Sequence, residues 1–147
     1  MLNSNYWLLG ICACACLACD GTTPPDDGPA ENPFDAQVSA GAELFAEHCS
    51  DCHGADGRGT LEAPALVGLD DGALPLDPPE GAVRATQFVT VGDVAAFAAA
   101  NMPPDDPGSL EADEYYAILA FALSANGIAL TEELTPAGAE ELVIPRP

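Results

Sequence analysis

Five consecutive residues, Cys49-Ser50-Asp51-Cys52-His53, constrain this chain more than any other feature. They read C-x-x-C-H, the spacing at which haem is attached covalently. Two thiols separated by two residues match the two vinyl groups of the macrocycle. The histidine directly after the second thiol is then held beneath the iron as an axial ligand. A C-x-x-C pair is also found as half a zinc site or as a redox dithiol. Zinc needs two further ligands, and beyond the N-terminal segment only His48 and Cys19 remain. His48 stands directly before Cys49, a poor position from which to complete a tetrahedron. A redox dithiol would call for a βαβ context, and no convincing strand pattern or internal repeat is present.

The chain of 147 residues has room for one small domain with appendages. It carries 24 acidic residues against three arginines, Arg58, Arg84 and Arg146, and no lysine, for a formal charge of −21. That charge excludes nucleic acid and anionic membrane surfaces as partners. Its plain reading is solubility or an acidic proteome, and the functional alternative is steering toward a basic docking face. Proline and glycine, 14 of each, suit loops and linkers.

Residues 1–18 hold no charged side chain, and Tyr6 to Ala18 is apolar but too short to span a bilayer comfortably. The segment reads as a secretory signal peptide. Cys16-Leu17-Ala18-Cys19 resembles a bacterial lipobox, which makes Cys19 the expected lipidation site. Ile11-Cys12-Ala13-Cys14 is a rival placement, and ordinary cleavage or an uncleaved anchor are alternatives. Cleavage before Cys19 puts a polar segment immediately after the lipid and leaves the fewest stray thiols. Residues 19–34 then form an acidic, Pro-rich tether with no apolar period. All of these readings export the domain.

From Asp35 the pattern changes. Val38, Gly41, Ala42, Phe45 and Cys49 recur at the spacing of an amphipathic helix running into the C-x-x-C-H motif, with Asp35 or Ser39 as its cap. Gly54, Gly57 and Gly59 mark a tight loop. A second helix is predicted over 93–101, ended by Met102-Pro103-Pro104. A third runs from an N-cap at Ser109 to about Asn126, with Gly127 as its stop. Its buried stripe is expected to be Ile118, Phe121 and Ala122, helped by Leu119 and Tyr115. Residues 128–147 read as a polar C-terminal tail with a short helical turn near Ala137 to Leu142.

Over about residues 35–127 this arrangement resembles class I cytochrome c. Gly41, Phe45 and Cys49 keep the spacing of that family's first helix, and Ile118-Leu119-Ala120-Phe121 matches its last, where an aromatic meets the glycine. The resemblance implies an all-α cytochrome c fold, with three to four helices around one covalently bound haem c. It implies Cys49 and Cys52 as the attachment residues and His53 as the proximal ligand. Pro64 falls where the family's proline carbonyl accepts the ring Nδ1–H bond. Met102 falls where the family places its thioether ligand. Apart from the initiator it is the only methionine, although an open sixth position is an alternative. Some relatives bond a haem propionate with an indole. The only tryptophan here is Trp7, in the leader, so Arg58 and Arg84 are candidate substitutes, with surface solvation as their plainer role.

The expected function is that of a single-electron carrier rather than an enzyme. It would be a membrane-tethered monohaem cytochrome with His/Met ligation, on the periplasmic side of a bacterial membrane, serving exported redox enzymes. The segment from Asp93 onward also looks like small cytochrome domains that accompany periplasmic dehydrogenases. A haem redox subunit of such a complex is therefore one alternative. A gas-binding or peroxidase-like protein with a labile Met102 is the other.

Overall fold

A computed structural model of the chain describes residues 32–146, apart from Pro79 and Val83. The leader, the Cys19 lipidation site, Trp7 and nearly all of the tether lie outside the described residues. Among the described residues three helices carry the fold: α1 (Pro33–His48), α3 (Val91–Asn101) and α4 (Ala112–Ala125). The one-turn α2 (Ser50–His53) follows α1, and α5 (Pro136–Glu141) closes the chain. A single 3-10 turn spans Leu69–Asp71, and an isolated antiparallel bridge joins Thr90 to Val143. No described helix is long and apolar enough to cross a membrane.

The helix starts follow from side chains that satisfy the first free backbone N–H groups. Asn32, not Asp35 or Ser39, caps α1: its Oδ1 accepts from Phe34 N–H at 3.0 Å, and Pro33 needs no partner. Asp35 instead lies in the first turn, where a carboxylate suits the helix dipole. Ser39 donates back to the Asp35 carbonyl at 3.0 Å. Thr90 and Asp93 form a capping box at α3, which starts two residues before the position read from sequence. Backbone N–H groups of Thr90 and Val89 hold the Asp93 carboxyl below its ordinary range. Ser109 does not cap α4. Its N–H closes a turn on the Asp106 carbonyl at 3.2 Å, and the helix begins after Glu111, whose N–H donates to Glu114 at 2.8 Å.

The core lies between α1 and α4, with α3 packed on α4 and α5 on α3. Phe34 and Phe45 on α1 are each 1 % exposed. Residues 128–146 are not a tail: Leu134, Ala139 and Ile144 are buried in the same core. The Gln37 side chain fastens this segment to α1, donating to the Leu134 carbonyl at 3.0 Å and accepting from its N–H at 2.8 Å. Asn32 adds a bond to the Leu130 carbonyl at 2.7 Å. Phe34 lies before the boundary read at Asp35, so the packed unit extends past both ends of the 35–127 segment.

Gly41 is where α1 and α4 touch. A Cβ there would stand 1.8 Å from the Ala117 carbonyl oxygen and 2.4 Å from its carbon. The glycine meets the backbone of α4, whereas the aromatic of α4 meets Phe45: the Phe45 and Phe121 rings lie 5.0 Å apart at 41°. The buried stripe of α4 is Tyr115, Ala117, Leu119, Ala120 and Leu123. Ile118 and Ala122, expected in that stripe, are half-buried and border a cavity. Gly41→Ala should therefore destabilise the fold by about 3 kcal/mol through overpacking against rigid backbone. Denaturant unfolding should show a lower midpoint with an unchanged slope.

Candidate haem-binding site

The C-x-x-C-H motif straddles the α1–α2 junction. Cys49 is the C-cap of α1, its N–H bonded to the Phe45 carbonyl at 2.9 Å, and one further turn carries Cys52 and His53. Both cysteines are half-buried. Burial first, and then the neighbouring Cys52, push the Cys49 thiol up to about 11. Among the described residues no group of three His, Cys, Asp or Glu side chains is placed to hold a metal ion.

His53 is 8 % exposed, and its Nδ1 lies 2.8 Å from the Pro64 carbonyl oxygen. A carbonyl only accepts, so Nδ1 carries the proton and Nε2 is left with a free lone pair. The loop between these residues is shaped by backbone bonds. Gly59 N–H donates to the His53 carbonyl at 2.7 Å, and the Gly57 carbonyl accepts from Leu66 at 2.7 Å and Val67 at 3.0 Å. Gly59 has φ +81°, and a Cβ on it would lie 2.6 Å from Ala65 N, so no side chain fits there.

His53, Cys49, Cys52, Pro64 and Met102 all border one cavity of about 460 Å³. The volume is in the range of cofactor pockets. Most of the remaining wall is apolar, including Leu66, Leu74, Val94, Phe97 and Ile118. Met102 is the C-cap of α3, and its carbonyl accepts the Tyr115 hydroxyl at 2.6 Å. A nitrogen donor, a thioether and two thiols around an apolar cleft match the chemistry of covalently bound haem. His48 borders the cavity from the end of α1 that carries Cys49. Of the two candidate arginines, Arg84 borders the cavity and Arg58 does not. Arg84 is not a solvated surface residue. Its guanidinium donates to the Pro75 carbonyl, to Thr86 at 2.5 Å and to Leu76 at 3.3 Å, and stacks 3.7 Å from the Phe88 ring centroid. Arg58 pairs at 3.4 Å with Asp56 on the surface.

Asn126 is a site residue that the sequence did not disclose. Its Oδ1 accepts from Gly68 N–H at 2.8 Å and Leu69 N–H at 3.1 Å, and its Nδ2 donates to Leu66 at 2.9 Å and Ala122 at 2.8 Å. One side chain thus ties the end of α4 to the loop that supplies the Pro64 carbonyl. Preceding Gly127, it reads in sequence only as a helix end. Thr60 was equally silent: its hydroxyl donates to the Cys52 carbonyl at 2.5 Å.

A covalent-haem motif on an all-α scaffold, facing an apolar cavity closed by a methionine-bearing turn, defines a c-type cytochrome domain. The chain belongs to the family described as cytochrome c oxidase, cbb3-type, subunit III, whose model matches residues 36–121. Its cofactor is covalently bound haem c, and such a domain transfers electrons. No curated protein sequence matches it. Among solved structures it is similar to a chain in the crystal structure of the sulfane dehydrogenase SoxCD from Paracoccus pantotrophus, with 28% identity and a TM-score of 0.53. The match covers 74% of this chain and 53% of that one, so the chain spans about half the length of this relative.

Asn126→Leu keeps the approximate shape but removes all four bonds. It should cost about 2 kcal/mol, because the half-buried Gly68 and Leu69 N–H groups and the Leu66 carbonyl lose a partner. Hydrogen exchange at the Gly68 and Leu69 amides should accelerate more than exchange in α3. Uniform acceleration would show that Asn126 does not act locally.

Proposed function

We propose that this chain is a class I, single-haem electron carrier with His/Met ligation, exported and held at a bacterial membrane by lipid on Cys19. The observation that carries the reading is the 2.8 Å contact between His53 Nδ1 and the Pro64 carbonyl beside a cavity that Met102 also borders. Cys49 and Cys52 would hold the haem as thioethers, and His53 and Met102 would bind its iron. When bound, the haem supplies a one-electron ferric–ferrous couple. The Pro64 carbonyl orients the imidazole and strengthens its donor nitrogen. Tyr115 fixes the Met102 backbone, so the thioether needs little rearrangement between oxidation states. A soft thioether favours the reduced state, while the surrounding carboxylates favour the oxidised one. The apolar walls would keep water from a bound iron, which suits passage of electrons rather than substrate chemistry.

A second reading is a redox module of an exported dehydrogenase. The similarity to a chain of the sulfane dehydrogenase SoxCD favours it. The two readings share the site and differ in whether the partner is permanent. Co-migration of a dehydrogenase chain with the protein on gel filtration of solubilised membranes would support the second.

Intact mass after acid-acetone extraction should retain one haem, and loss of haem in that step would refute covalent attachment. The reduced wild type should not bind carbon monoxide at neutral pH. Met102→Ala should bind it rapidly and lower the reduction potential by on the order of 100 mV, part of the ~0.8 V that axial ligands span. Equal carbon monoxide binding by both proteins would remove Met102 as the resting ligand and favour a gas-binding or peroxidase-like protein.

The anchor has its own test. Stable membrane attachment takes more than one acyl chain. Cys19→Ser should therefore release the protein from membranes or block its processing. Unchanged mass and retention would move the anchor to another cysteine or to an uncleaved leader.

A further inference from the structure

We propose that Leu61 is the apolar centre of a docking surface for a basic redox protein, presented beside Cys52 at the rim of the haem cavity. The proposal rests on the electron-carrier reading and adds the contact residue and the chemistry of the partner.

Leu61 has a relative exposure of 106%, the highest of any large apolar side chain among the described residues. A lone exposed leucine is ordinary. The rigidity and position of this one are not. The Thr60 N–H donates to the Ala63 carbonyl at 3.0 Å, closing a turn with Leu61 at its tip. The Thr60 hydroxyl accepts from Glu62 N–H at 3.0 Å and donates to the Cys52 carbonyl at 2.5 Å. The turn is thereby fastened to the residue that carries one haem thioether. Glu62 and Ala63 border the cavity, and Leu61 does not. Its side chain contributes nothing to the cofactor pocket or to the core. The backbone that carries Leu61 is fixed in this way, so little backbone entropy is lost when the side chain enters a partner's pocket, which lowers the cost of association.

Charge selects the partner. Asp51, next to Cys52 in the chain, and Glu62 are exposed, and the Glu62 carboxylate lies 4.0 Å from the Cys52 sulfur. The chain has only three cations to offset its carboxylates. Arg58 is paired with Asp56, Arg146 is paired with Asp77 at 3.2 Å, and Arg84 is turned onto backbone carbonyls. The rim therefore presents unpaired negative charge around one apolar tip. Its complement is a face of lysines and arginines around a small apolar depression. Opposite charge accelerates encounter, and the buried apolar contact lengthens the complex.

The test uses the full-length ferric holoprotein and two photoexcited donors, a zinc-substituted, lysine-rich cytochrome c and the small cation tris(bipyridine)ruthenium(II). In each reaction the excited donor loses one electron and the ferric haem gains it, with no proton or atom transferred. At an ionic strength of about 0.1 M, Leu61→Ala should slow transfer from the zinc cytochrome about tenfold, the scale of one lost interface anchor. Transfer from the ruthenium complex and the midpoint potential should be unchanged, and Leu61→Met should restore the zinc-cytochrome rate. Glu62→Lys should slow the zinc-cytochrome reaction and flatten its decline with salt. The surface assignment is overturned if Leu61→Ala matches wild type with the zinc cytochrome, if it slows both donors equally, or if the wild-type rate rises with salt. Failure of the wild type to accept an electron from either donor would instead overturn the carrier reading beneath it.

Discussion

The contact of Gly41 with the Ala117 carbonyl is the constraint on which the rest of the structure depends. Without a side chain at position 41, α1 and α4 cross backbone to backbone. That crossing brings Phe45 against Phe121 one turn further along each helix. Phe45 in turn accepts the N–H of Cys49 through its carbonyl, so the start of the C-x-x-C-H turn is set by the same crossing. It also turns Ile118 and Ala122 of α4 toward the cavity. One missing methyl group thus fixes both the attachment residues and the opposing apolar wall.

The loop after His53 has no regular structure, and a set of backbone and Asn126 hydrogen bonds shapes it. Glycines admit the turns, the Gly57 and His53 carbonyls collect N–H groups, and Asn126 closes the far end. Buried loop backbone is tolerated only on such terms. The result is that a single carbonyl, that of Pro64, arrives at one ring nitrogen. The imidazole is oriented by a network that reaches across the chain to the last turn of α4.

Charge is distributed in a way that composition does not express. The few cations are spent locally, on a carboxylate or on backbone carbonyls, so the acidic character reaches the surface almost undiluted. Arg84 is the exception in position, since it borders the cavity. Its stacking on Phe88 and its bonds to the Pro75, Leu76 and Thr86 carbonyls draw these residues together beside the cavity.

The sequence by itself determined the helical class, the C-x-x-C-H turn, Met102 at the end of a helix and the crossing glycine. These are local signals: a spacing, a periodicity, a Pro-Pro stop. Only the tertiary structure decided where the domain ends, which groups cap the helices and what holds the loop. Phe34, Leu134, Ala139 and Ile144 join the core because α1 and α3 leave apolar surface that the final segment can cover, and no spacing records that complementarity. Asn32 displaces Asp35 and Ser39 as cap because its amide also reaches the Leu130 carbonyl, and Asn126 bonds backbone about 60 residues away. Such partners are chosen by three-dimensional proximity, after packing has brought distant backbone within reach of a short polar side chain.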